Sequence, residues 1–287
     1  MKKIILSMFC IFLLVGCSTK QENITIKKNN NQETVDLKVG FGLHHIEDGY
    51  SFDGKDVDIN YDYEVVGRDA NFGLMIFING IPQMIKHEDK ESLVGTESLV
   101  YTFKGKKDTN KTEHVSIMPN TGSKGDHLYM HAFLIADYEI VDSLKQLTNK
   151  QHMMACGTTF IDIHQDTANN SIDLNNNYDL IDYTSDLLKH DEEGYFDNNL
   201  LIQFPNNLEG NFKKNKPITI KMSGISDNYI LWVLEDLKPV SSYHIELPKN
   251  KSAVLSYKPG NKTKNVKAIA IPLSSNLPEE STSLVVK

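Results

Sequence analysis

One pattern occurs twice in this chain without a gap, and it limits the possible fold more than any other feature. Tyr61-x-Tyr63-x-Val65-x-Gly67 is matched by Ile218-x-Ile220-x-Met222-x-Gly224, then Asn71-Phe72-x-Leu74-x-Ile76-Phe77 by Asn228-Tyr229-x-Leu231-x-Val233-Leu234, and Pro82 by Pro239. Apolar residues at every second position give the period of a strand with one buried face, whereas a helix would need returns at three and four. The fixed spacing of Gly, Asn and Pro makes the match more than shared alternation. A duplicated strand pair predicts an all-β chain of two tandem antiparallel β-sandwich domains, each with its own two-sheet core.

The rest of the chain has the same texture. Val35, Leu37, Val39 and Phe41 alternate with polar residues or glycine, and so do Val57, Ile59, Tyr61, Tyr63 and Val65. Phe72–Ile78 is nearly continuous in its apolar character. Asn79-Gly80 follows it, and this pair accepts the positive φ angles of a tight hairpin turn. Pro82 has no N–H to give a ladder, which puts the returning strand at an edge or a bulge. Leu99–Phe103, Val115–Met118 and His127–Tyr138 continue the strands. Val141, Leu144 and Leu147 recur at three-residue spacing and predict a helix within Asp142–Met154, with Thr158–Ile163 returning as a strand. The expected division is a first sandwich over 35–142, a connecting segment with a short helix over 143–197, and a second sandwich over 198–287. Strand length and turn spacing make both copies similar to immunoglobulin-like sandwiches. The likeness is architectural only, because neither copy has a cysteine pair around a core tryptophan. Trp232 aligns with Met75, which predicts a packing role.

Ahead of the repeats stands a positively charged start, Met1-Lys2-Lys3, and an apolar run from Ile4 to Val15 that is too short to span a bilayer. This is the pattern of a secretion signal over residues 1–16. Its end, Leu14-Val15-Gly16-Cys17, resembles the lipobox of bacterial lipoproteins. The resemblance implies that Cys17 is acylated, becomes the mature amino terminus and holds the protein on the extracytoplasmic face of the cell membrane. Residues 17–34 are rich in Lys, Asn and Gln, with too little apolar surface to offset the entropy of ordering, and are expected to be a tether. If Cys10 leaves with the signal and Cys17 carries lipid, Cys156 has no partner for an internal disulfide.

The formal net charge of -8 argues against nucleic acid as a partner and against a broad electrostatic contact with anionic lipid. Membrane attachment is then expected from the lipid alone, with a protein or glycan partner at the cell surface. Candidate chemistry is sparse. His127 and His131, four apart on one strand, present to the same face and form the metal candidate, with His44-His45, Met118 and Met130 as further donors for copper or zinc. Tyr50 and Phe52, beside the turn GYSFDGKD, are the candidate ligand contacts, while Tyr61 and Tyr63 fall on the repeated inward face and belong to the core. Asp173–Asp179 alternates oxygen donors but has Tyr178 where a calcium loop needs glycine, and reads as a solvated linker. Cys156 near His152 and His164 lacks an orienting third residue, and Asp162/Asp166 or Glu192/Glu193 form no better catalytic set. The reading is therefore a non-enzymatic surface lipoprotein with a binding or structural role and no cofactor. The alternative is a ligand- or metal-capturing accessory of a transport or envelope-stress system.

Overall fold

The computed structural model describes residues 37–44, 49–87, 96–150, 152–168, 172–197, 199–275 and 278–287. The signal, Cys17, the tether and His45 lie outside them. The first half runs β1 (Lys38–Leu43), β2 (Tyr50–Phe52), β3 (Val57–Val66), β4 (Ala70–Ile78), β5 (Ile81–Pro82), β6 (Ile85–His87), β7 (Thr96–Ser98), β8 (Tyr101–Gly105), β9 (Thr109–Ile117), β10 (His127–Ala136), α1 (Leu144–Lys150) and β11 (Met154–Ile163). An outer sheet has the order β1-β3-β9-β6-β7, and an inner sheet the order β2-β11-β10-β4-β5, with β8 also beside β4. The alternation of β3 is realised strictly: Val57, Ile59, Tyr61, Tyr63 and Val65 are buried and the residues between them are not. Asn79 and Gly80 take positive φ angles in the expected hairpin, and Pro82 sits on the short β5 at the sheet margin.

The second half runs β12 (Asp179–Asp182), α2 (Ser185–Glu192), a 3-10 turn (Tyr195–Asp197), β13 (Leu200–Gln203), β14 (Asn211–Phe212), β15 (Ile218–Gly224), β16 (Asp227–Glu235), β17 (Lys238–Leu247), β18 (Lys251–Tyr257), β19 (Asn265–Pro272), β20 (Glu279–Glu280) and β21 (Leu284–Val286). Its inner sheet is β14-β21-β19-β16-β17, with β20 beside β19, and its outer sheet is β12-β18-β15-β13. The repeat extends beyond the sequence match. In the two halves β1 flanks β3 as β13 flanks β15, and β2 adds parallel to β11, the last strand of its half, as β14 does to β21. The copies differ at β17, one strand that follows the length of β16 with a bulge at Val233/Leu234. Its counterpart is split into β5 and β8 by an excursion that sends β6 and β7 to the outer sheet. Both boundaries change: within the expected connecting segment 143–197, β11 pairs along β10 and completes the first sandwich, and β12 pairs with β18 in the outer sheet of the second. For β11, only long-range pairing places it there, because its six leading residues are half-buried without a clean alternation.

Three cores separate the four sheets. Two lie inside the sandwiches, and the third joins the inner sheets back to back through Met75, Phe77, Phe133 and Ile135 on one side and Ile230, Trp232, Leu234, Ile269 and Ile271 on the other. This seam explains why β4 and β16 are apolar throughout: a strand buried on both faces has no polar alternate positions. At about 1.5–3 kcal/mol for each of these large apolar side chains, the seam contributes gross hydrophobic energy on the order of 14–27 kcal/mol. The expected packing role of Trp232 is met here, against Phe77 at 6.3 Å between ring centroids, with its Nε1–H donating to Gly80 O at 2.8 Å. Gly80 packs on Ile230, so β4 and β16 run antiparallel across the seam. Met75 and Trp232 are repeat equivalents, as are Phe77 and Leu234, so the seam packs corresponding strands of the two copies against each other.

Polar groups lock the seam at one end. The Asn265 side chain donates to Val141 O at 3.0 Å and accepts from Val141 N at 2.9 Å. Lys267, only 3% exposed, pairs with Glu280 at 2.6 Å and donates to His152 O at 3.1 Å, while Glu280 accepts from Met154 N. His152 is fully buried between Ser283 Oγ and Glu139 O. These contacts involve residues from both sandwiches, and Val35–Lys287 forms one compact unit. No helix among the described residues is long and apolar enough to cross a membrane.

Candidate functional site

The seam-facing side of the first inner sheet is longer than the seam. Along β10 and β11 the facing pairs run Ile135/Met154, Phe133/Cys156, His131/Thr158, Tyr129/Phe160 and His127/Asp162. The first of these pack against the second sandwich, whereas the last two emerge into solvent as a ledge. There the His127 ring stacks on Phe160 at 4.4 Å and 19°, Tyr129 lies 4.5 Å from Phe160 on its other side, and His127 Nδ1 is 2.5 Å from Asp162 Oδ1. Phe160 remains 37% exposed, an unusual state for an aromatic on a long, well-paired strand. The strands hold the three rings in fixed register, so the ledge presents a stacked apolar surface beside a carboxylate without loop ordering.

Behind the ledge lies His131. It is completely buried, between Tyr129 at 6.0 Å and Phe133 at 6.5 Å, and among the described residues neither ring nitrogen has a hydrogen-bond partner in good geometry. Burial pushes its pKa down to about 4, only partly offset by the Ser275 main chain, so at neutral pH the ring is uncharged. Two histidines four apart do share a face, as expected, but four strand residues span about 13 Å, far beyond the reach of one ion. Met130 points the other way, into the first core, and Met118 is an exposed residue beyond β9. His44 pairs with Asp62 at 3.1 Å on the outer sheet. Among the described residues no three His, Cys, Asp or Glu side chains come together as a metal cluster, so the expected grouping around His127 and His131 is corrected to an aromatic ledge.

Tyr50 and Phe52 are also corrected. Both are 3% exposed and face the first core, because β2 adds parallel to β11 with Tyr50 opposite Ile161 and Phe52 opposite Ile163. The Tyr50 hydroxyl donates to Asn60 O at 3.4 Å, which disposes of its one polar atom. Tyr61 and Tyr63 are core residues as expected, and desolvation raises both phenol pKa values. Cys156 lies half-buried at the seam beside Met154, while His152 is committed to its own hydrogen bonds and His164 pairs with Asp53.

Two grooves lie on the described surface away from the ledge. One, of about 480 Å³, is lined by Glu235, Lys238, Val240, Gly260 and Lys262. Its carboxylate is occupied by the protein itself: Glu235 accepts from Tyr257 Oη at 2.6 Å, Gly260 N at 2.8 Å and the Thr263 hydroxyl. The other, of about 360 Å³, lies between α2 and the outer sheet, against Tyr195, Gln203 and Lys221. Phe160 was not singled out from sequence. A lone aromatic among threonines, Gly157-Thr-Thr-Phe160, gives no sign of facing outward until the register with Tyr129 is known.

No family model matches this chain, and no curated protein does either. Among solved structures it is similar to one concerned with host-cell surface retention of a 1.5-MDa bacterial ice-binding adhesin, at 12% identity and a TM-score of 0.24 over 90% of this chain and 66% of that one. It is similar to the sporulation control protein Spo0M of Bacillus subtilis at 7% identity and a TM-score of 0.22, over 82% and 79% of the two chains. The secreted serine protease VesC of Vibrio cholerae follows at 10% and 0.23, over 86% and 52%. Likenesses of this level carry no functional inference.

Proposed function

We propose that the protein is a bacterial surface lipoprotein with a non-catalytic binding role, anchored through an acylated Cys17 and contacting its partner through the ledge at His127, Tyr129 and Phe160. The observation that carries the binding role is the exposed ring stack on β10 and β11, which pair with each other along this stretch. Stacked rings next to a carboxylate suit the apolar face of a sugar or an aromatic side chain of a protein. The anchoring rests on the lipobox-like sequence alone. Cross-linking on intact cells, followed by mass spectrometry, tests both parts. Wild-type protein is expected in the membrane fraction with a reproducible cross-linked partner, Cys17→Ala in the medium, and Phe160→Ala in the membrane without that partner. Retention of Cys17→Ala in the membrane would end the anchoring proposal. Unchanged capture by Phe160→Ala would end the role of the ledge.

A further inference from the structure

The two ends of the body carry opposite charge, and the chain enters at the basic one. Lys38 pairs with Val66, so the chain comes into β1 at the same end as the turn between β3 and β4. Val65 opposite Thr109, and Ala70 opposite Gly105, bring the β8–β9 turn to that end. In the second sandwich, Ile218 opposite Tyr257 and Glu235 opposite Val266 group the β14–β15 and β18–β19 turns. The Asn265–Val141 hydrogen bonds and the Lys264–Asp142 ion pair at 2.7 Å place these turns beside those of the first sandwich. Three lysine-rich turns thus share one end: KGKK at 104–107, KKNK at 213–216 and KPGNKTK at 258–264, with every lysine exposed.

The carboxylates of this end are largely engaged within the body. Asp137 holds Arg68 in a two-pronged pair at 2.7 and 2.5 Å, Glu139 pairs with Lys150, and Asp69 and Asp236 accept main-chain N–H groups of nearby turns. Among the described residues, Lys106, Lys213, Lys214, Lys216, Lys258 and Lys262 form no ion pair. The opposite end has the reverse character, with DGKDVD at 53–58, DIHQD at 162–166 and DLLKHDEE at 186–193. The net charge of -8 therefore conceals a polarity along the strands.

We infer that the basic end docks on an anionic phospholipid surface, with the three lysine turns against the headgroups and the acidic end directed away. The choice of a membrane rests on the anchoring proposed above: a tether that enters at this end keeps these turns at high effective concentration beside the lipid. Electrostatic contact, which the overall charge spoke against, becomes favourable once the charge is resolved by end. Each lysine held within a Debye length of anionic lipid changes partitioning by about fivefold. Lys106→Glu/Lys107→Glu/Lys214→Glu, confined to exposed turns, should lower it by at least roughly a hundredfold.

The test uses the purified full chain with vesicles of phosphatidylcholine alone or containing about one third phosphatidylglycerol. Flotation and amine-labelling of individual lysines are read together. The expected result is that Lys106, Lys214 and Lys262 are protected several-fold on the anionic vesicles only, that salt abolishes the protection, and that Lys55, Lys124 and Lys249 label equally on both. Loss of the Lys262 protection in the triple variant, with an unchanged circular dichroism spectrum, would complete the case. Equal labelling of both ends overturns it, as does salt-sensitive binding to soluble polyphosphate with none to the anionic vesicles. The mass of the Cys17 peptide separates the two readings. Acylated protein without lysine protection retains the anchor and refutes docking, whereas unacylated protein that still binds anionic vesicles retains docking and refutes the anchor.

Discussion

Replacing His131 with phenylalanine should change how stability responds to acid. The ring is fully buried, and its folded-state pKa is held near 4 against an ordinary 6.5 by desolvation. The unfolded chain therefore binds a proton that the folded one refuses, so stability falls as the pH drops from 6.5 towards 4. The gap corresponds to about 3 kcal/mol, or a melting temperature lower by about 6–12 °C for a body of this size. Glu279 acts in the opposite sense. Desolvation raises its pKa to about 7 from an ordinary 4.5, so the folded state binds more protons and gains stability as the pH falls from 7 to 4.5. Because that carboxyl is partly exposed, its effect is discounted to about 1–2 kcal/mol. His152, also lowered by burial, adds to the acid loss. Wild-type protein should thus lose stability on acidification with a slope blunted by Glu279. His131→Phe should flatten or reverse the slope between pH 6.5 and 4.5, and Glu279→Gln should steepen it. At pH 7.5, His131→Phe should cost nothing or stabilise by about 1 kcal/mol, because it removes two buried polar atoms that have no well-formed hydrogen bond among the described residues. Urea titrations of the three proteins at closely spaced pH values are the assay. An unchanged slope in His131→Phe would refute the assignment of the buried ring as a suppressed proton acceptor.

Two further substitutions probe the seam. Gly80→Ala would bring a Cβ within 2.6 Å of the Ile230 side chain at a φ of +75°, and should destabilise the protein by about 2 kcal/mol or more in thermal unfolding. Trp232→Phe removes the hydrogen bond to Gly80 O from a buried site and should cost about 1–3 kcal/mol. Because the seam joins the sandwiches, both substitutions should lower one shared transition seen by circular dichroism and calorimetry. Separate transitions would show that each sandwich unfolds by itself.

Much of the framework is legible from local chemistry. The alternation over Val57–Val65 defines β3 and its inward face, Asn79-Gly80 defines the hairpin, Pro82 defines a margin, and the spacing of Gly, Asn and Pro shows that the plan is repeated. What local chemistry lacks is long-range partner choice. Nothing near Tyr50 and Phe52 reveals that β2 will lie parallel to β11, a pairing that turns two exposed-looking aromatics inward. The back-to-back seam does leave a trace, since Phe72–Ile78 and Tyr229–Leu234 lack polar alternate positions. A strand of a lone sandwich has no need of that second apolar face. The spacing of His127 and His131 shows that they share a face, but a ligand set also needs separation, and strand rise makes theirs too great.

The seam packs corresponding strands of the two copies against each other, the kind of contact that joins the subunits of a homodimer, here within one chain. In a dissociable pair, dilution unmasks the apolar patch, and every substitution in it is made twice. Here neither holds: the partner cannot leave, and each side of the contact can vary without the other. The split counterpart of β17 and the replacement of a methionine position by Trp232 are differences of this kind. One half is thereby released to acquire a ledge or a new loop while the other retains the role of its fixed counterweight.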